Sequence, residues 1–152
     1  MWRHTYSQTT RATPAQLWDR YAEPSSWPQW DTGVTSVTID GPLRVGARGS
    51  LKPVRGPATR FIVTEVTPHV SFSDVSRLPL ASMTFEHRIE ALAAGCRFTH
   101  TVTISGVLAP LFARLIGRTV VAELPVTMWA LARLAEQAPS HPAVTVDSVK
   151  RD

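Results

Sequence analysis

From residue 108 onward, apolar side chains return every three or four positions: Leu108, Leu111, Phe112, Leu115, Ile116, Val120, Leu124, Met128, Leu131 and Leu134. That spacing draws one oily stripe along a helix and predicts a single long helix over about 107–137. Arg114, Arg118, Glu123, Arg133 and Glu136 fall mostly off the stripe. Pro125 lies inside it and removes a backbone donor, at a cost of ~3 kcal/mol in a regular interior, so a kink is expected there. The half before the kink is expected to pack, with Arg114 and Arg118 in water. The half after it, with Leu124 and Met128, is expected to act as a lid. No other segment is long enough for a major helix.

The rest of the chain alternates with a period of two. Positions 2–11 place Trp2, His4, Tyr6 and Gln8 on one face and Arg3, Thr5, Ser7 and Thr9 on the other, so the inward face is unusually polar. Thr13-Pro14-Ala15-Gln16 is a helix start with a capping box and proline in the first turn, and that helix buries Leu17, Trp18 and Tyr21. Pro24 ends it, and the segment 24–31 with Trp27 and Trp30 makes a second short helix or turn. Strands are predicted at 34–39, 48–52, 59–66, 70–76, 82–91 and 97–105, with a loop at Arg77-Leu78-Pro79-Leu80. Gly106 closes the last strand. Tight turns between successive strands imply an antiparallel meander. The result is an α+β domain: a curved sheet of about seven strands wrapped around one long C-terminal helix, with two short helices after the first strand. One domain spans 1–138, and 139–152 is a polar tail.

Composition narrows the partners. The 152 residues carry a net charge of +4, nearly all from arginines scattered along the chain rather than gathered into a basic stripe, which argues against nucleic acid. The single cysteine, Cys96, excludes an internal disulfide, fits a reducing compartment and is expected in a β-turn. The opening MWRHTYSQTT has no apolar core like that of a signal peptide. Arginines and glutamates interrupt the long helix, so no membrane insertion is expected. These features point to a cytoplasmic monomer or homodimer.

Several stretches resemble the polyketide cyclase/dehydrase branch of the START-like, birch-pollen-allergen-like superfamily. They are Ala12-Thr13-Pro14-Ala15-Gln16-Leu17-Trp18, Trp27-Pro28-Gln29-Trp30-Asp31 and Val45-Gly46-Ala47-Arg48-Gly49. Val63-Thr64-Glu65-Val66-Thr67-Pro68, Phe85-Glu86-His87-Arg88-Ile89 and Ser105-Gly106 continue the likeness. The resemblance covers about 6–136 and implies the helix-grip fold. In that fold the first strand lies beside the last, which would bring Tyr6 and Gln8 near His100. The family spans aromatases, cyclases, and lipid and hormone carriers, and fold alone does not choose among them.

Phosphate-loop, paired-cysteine, HExxH and GxSxG motifs are missing from the sequence, so no cofactor or metal is implied. What remains is polar residues on inward faces. Met83, Phe85, His87 and Ile89 share one face of their strand, and Phe98, His100, Val102 and Ile104 share one face of the next. A two-residue turn at Ala94-Gly95 would pair Ile89 with His100 and His87 with Val102, leaving the histidines diagonal neighbours roughly 6–8 Å apart. Two histidines make a poor zinc site, since Asp74 or His4 would have to supply a third ligand. The expected function is binding of a small apolar or aromatic, lipid- or polyketide-like molecule between sheet and helix. Tyr6, Gln8, His87 and His100 would be its polar handles. Phe72, Met83, Phe85, Ile104, Leu124 and Met128 would be its walls, with Trp30 near the mouth. The alternative is a cyclase or aromatase with His87 or His100 as acid/base and Tyr6 orienting a carbonyl. A third expectation is a partner or membrane contact through Leu111 and Ile116.

Overall fold

The computed structural model describes residues 1–139; the expected tail lies almost wholly outside them. Strand β1 (Trp2–Thr10) leads to helix α1 (Pro14–Ala22) and a 3-10 helix (Pro24–Gln29). Six strands follow: β2 (Val34–Ile39), β3 (Arg48–Pro53), β4 (Thr59–Thr67), β5 (Ser71–Leu78), β6 (Ala81–Leu92) and β7 (Gly95–Gly106). Helix α2 (Ala109–Gln137) closes the fold. The seven strands form one antiparallel sheet in the order β1-β7-β6-β5-β4-β3-β2. The chain therefore meanders from β2 to β7 and returns its first strand to the edge beside its last. This is the seven-stranded curled sheet with a long C-terminal helix that the hydrophobic pattern predicts.

The local reasons are visible at each junction. The Thr13 hydroxyl accepts from Gln16 N at 3.2 Å and the Gln16 side chain accepts from Thr13 N at 2.9 Å, so the predicted capping box starts α1. At the other end of the chain Glu136 accepts from the Thr10 hydroxyl at 2.8 Å and from Arg11 N at 3.2 Å. That fastens the end of α2 to the corner between β1 and α1. The loop expected at 77–80 is shorter than predicted: Arg77 and Leu78 stay in β5, and the turn is Pro79-Leu80, with Leu80 at φ 51°.

The β6–β7 hairpin corrects the predicted register. Leu92 pairs with Gly95, so the loop is Ala93-Ala94 and His87 lies directly opposite His100 rather than Val102. Only Gly95 takes positive φ here (103°), as in a type I turn followed by a G1 bulge. A Cβ at Gly95 would stand 2.0 Å from the Thr10 carbonyl of β1. The glycine thus answers a close approach of β1, not the turn centre that its place in the sequence suggested. Cys96 is likewise no turn residue. It is fully buried in β7, paired with Ala91 and Thr10.

Helix α2 runs through Pro125 as one element. Its halves reverse the expected roles. Leu124, Thr127, Met128, Leu131, Ala132 and Ala135 are buried in the second half, against only Ala109 and Gly117 in the first. The second half is the packed half; it shares the core with α1 and the sheet. Gly95→Ala is expected to destabilise the fold by about 2–4 kcal/mol, since it adds positive-φ strain to a backbone clash. Urea unfolding would check this, and an unchanged midpoint would contradict it.

Candidate functional site

The pleat aligns inward-facing side chains of neighbouring strands into rows. One row runs Phe72, His87, His100, Tyr6 across β5, β6, β7 and β1. The next runs Val63, Asp74, Phe85, Val102, His4. A third includes Ser76, Met83, Ile104 and Trp2. The face of β5 that periodicity left undecided is thereby settled: Phe72 and Asp74 point inward with His87.

The first row is a wall of rings. Phe72 and His87 stack at 4.0 Å between centroids and 4° between planes, and His87 meets His100 edge-on at 4.5 Å. Tyr21 drops onto this wall from α1. Its phenol lies 2.7 Å from His100 Nε2, and its ring packs on Phe72 at 5.1 Å and on His87 at 5.4 Å. The sequence marked Tyr21 as buried but gave it no part in the site. Its placement three residues after Trp18 on the same helix face was the available signal. Trp30 is not at a mouth. It is buried against Tyr21 and Trp27, because the 3-10 helix folds back over α1.

Burial sets the protonation states. His100 is pushed well below the usual histidine range by desolvation and by neighbouring His87. Desolvation lowers His87 to about 3, against the opposing Phe72 backbone. Tyr21 is raised by burial. The Tyr21–His100 contact is therefore a bond between two neutral groups, either of which can donate. Asp74 is buried beside Val63 and Phe85, and desolvation raises its carboxyl to about 7. No donor or cation among the described residues meets that carboxyl. His87 Nδ1 and Trp30 Nε1 are also buried without a protein partner. Two ring nitrogens packed against Tyr21 are thus left unsatisfied, with Arg20 Nε a third such atom, where cores ordinarily leave few.

The remaining predicted residues divide. Tyr6 pairs with His100 and is half-buried; Gln8 pairs with Phe98 one row away and donates to Thr9 O. Ile104 and Met128 are fully buried and Leu124 nearly so. Met83 and Phe85 point inward and are only partly buried, although Val102 and Ile104 beside them are sealed. Solvent therefore reaches the concave face along β6. A depression of about 300 Å³ lined by Trp2, Gly117, Arg118 and Val121, and another of about 210 Å³ over Gln8 and Arg97, lie apart from the ring wall. Among the described residues no group of three or more His, Cys, Asp or Glu is placed to hold a metal ion.

Comparison with known proteins agrees with this architecture. A family model described as polyketide cyclase / dehydrase and lipid transport matches residues 1–146. An uncharacterized protein of Mycobacterium tuberculosis is 31% identical over 96 residues, 59% of this chain and 58% of its own, so the match spans little more than half of that relative. Ara h 8.0201 superposes with a TM-score of 0.70 at 14% identity, over 90% of this chain and 100% of its own. The di-domain ARO/CYC StfQ from the steffimycin biosynthetic pathway gives 0.69 at 15%, over 88% and 50%. At these identities the structural likeness shows the helix-grip fold alone.

Two measurements probe the wall. Tyr21→Phe leaves His100 Nε2 buried without its partner and is expected to cost about 1–3 kcal/mol in urea unfolding; an unchanged midpoint would show that the bond adds no net stability. Asp74 is protonated in the folded state up to about pH 7, whereas the unfolded chain releases that proton near 3.8. Its contribution is therefore favourable at low pH and is lost as pH rises through that window. Asp74→Asn should stabilise the protein by about 2–4 kcal/mol at pH 8 and hardly at all at pH 4. Equal gains in thermal melts at both pH values would contradict this.

Proposed function

Because the chain belongs to the polyketide cyclase/dehydrase and lipid transport family, we propose that it binds a small apolar or aromatic, lipid- or polyketide-like molecule between the sheet and α2. The observation that carries this reading is a polar pair in an aromatic wall: His87 Nδ1, buried without a partner, and the inward Asp74 carboxyl, which no donor among the described residues meets. A self-sufficient core would pair or replace a group such as His87 Nδ1, since leaving it buried alone costs about 1–3 kcal/mol. A ligand entering past partly buried Met83 and Phe85 offers partners: an apolar body for the rings and a hydroxyl or carbonyl for Asp74, which donates when protonated. Tyr6, His87, His100 and Phe72 would line its path, with Leu124 and Met128 behind. A cytoplasmic setting goes with this reading, as Cys96 is a buried free thiol.

Cyclase- or aromatase-type catalysis is the second reading, and Asp74 is what favours it. A carboxyl that titrates near neutrality is matched to proton transfer, whereas His87, held neutral down to about 3, is a weak base. This moves the acid/base role from the histidines to Asp74.

Native mass spectrometry of the protein purified from its own host should reveal a co-purified small molecule. Titration with an anilinonaphthalene sulfonate probe should saturate, and Phe85→Glu should weaken it about tenfold or more, as an ion placed at an apolar contact requires. No bound molecule and no saturable binding would sink the proposal. For the second reading, turnover of a linear poly-β-keto thioester should inflect near pH 7 and vanish in Asp74→Asn. An inflection that survives that substitution would remove Asp74 from the chemistry.

A further inference from the structure

One face of α2 is used by neither the sheet nor the ring wall. Leu111, Leu115, Arg118, Val126, Trp129 and Arg133 follow one another at whole helical turns; Leu111 and Trp129 stand 18 residues apart, five full turns. All of them point to solvent. Leu111 is 50% exposed, Leu115 65%, Val126 58% and Trp129 57%. The face continues onto Val107 and Leu80, both well exposed, because Leu108 N donates to Leu80 O at 3.2 Å and ties that turn to the helix start. A helix covering a core normally shows its polar side outward. Here the outward side is apolar with arginines. By length and mean hydropathy (1.3) α2 could cross a membrane, and only 33% of its most apolar stretch is buried.

We propose that this outward face of α2 docks flat on an anionic phospholipid bilayer. Charge decides the occupant. Arg114, Arg118 and Arg133 stand on or beside the stripe, and Arg133 lies 5.4 Å over the Trp129 ring. The two carboxylates of α2 turn back to the body: Glu136 to Thr10 and Arg11, with Arg133 a distant 3.9 Å away, and Glu123 towards Gly33. The face therefore offers apolar side chains, an interfacial tryptophan and cations. That is the composition of helices that settle at the headgroup boundary, each cation adding about 1 kcal/mol on an anionic surface. A second copy of the chain fits less well. Antiparallel pairing about Ala122 would set Arg118 against Val126 and Arg133 against Leu111, with no carboxylate to meet either. The packing of α2 against the sheet and α1 keeps it within the fold, so contact is at the surface, without crossing. The depression of about 300 Å³ beside Arg118 and Val121 flanks the same stripe.

The test is co-sedimentation of the full chain with vesicles of phosphatidylcholine alone or with about a third phosphatidylglycerol. Partitioning onto the anionic vesicles is expected. It should fall at least tenfold on neutral vesicles, in high salt, and for the double substitution Leu111→Glu with Leu115→Glu. Both side chains lie in solvent, so the variant's thermal melt should match the wild type. Arg114→Glu with Arg118→Glu should abolish the preference for anionic lipid and reads the surface independently. Absence of binding to anionic vesicles overturns the proposal, as does binding at the wild-type level by both double variants. A dimer in sedimentation velocity that the leucine substitutions dissolve, without vesicle binding, would assign the face to a second copy instead.

Discussion

The hydrogen bond between the Tyr21 phenol and His100 Nε2 is the contact on which the interior turns. It joins the first helix to β7, next to the edge strand of the sheet, in surroundings where neither group meets water. Helix α1 can approach the sheet this closely only because the two polar atoms satisfy each other; unpaired, each would oppose burial. Once Tyr21 is seated, Trp18 packs edge-on to Phe72, and the 3-10 helix brings Trp27 and Trp30 over the same rings. The Trp27 indole donates to Tyr21 O at 3.2 Å, which holds that layer to the helix.

The same apolar surroundings determine what the polar groups can do. With little solvent to stabilise charge, His87 and His100 stay neutral and Asp74 keeps its proton to about pH 7. The wall is thus a set of neutral donors and acceptors, suited to holding a ligand's oxygen atoms. Of the group, only Asp74 changes charge close to neutral pH. Helix α2 divides its surface in a complementary way. Its second half seals β7 and α1, while its outer face stays apolar and basic, away from the ligand path proposed along β6.

The elements were largely legible in the sequence because their signals are local. Alternation marked every strand to within two residues or so, Thr13 and Gln16 announced α1, and the even positions of β1 face inward as expected. The inward sets on β6 and β7 were also right. The partner of His87 was not. Moving a two-residue turn by one position slides one strand by two residues against the other, which preserves faces and changes every pair. Gly95 misled because it serves the bulge after the turn and, lacking a Cβ, leaves room for β1, a contact that lies 85 residues away in the chain.

Residue order by itself determined the α+β meander, the place of the long helix and the polar character of the inward faces, because these follow from period and capping between near neighbours. Tertiary structure alone decided that His87 faces His100, that Tyr21 rather than Tyr6 holds His100, and that Asp74 faces inward. It also reversed the two halves of α2 and moved Trp30 from rim to interior. Each of these depends on which distant surfaces meet. Burial and desolvation are properties of that meeting, and the pattern along a single strand or helix does not contain them.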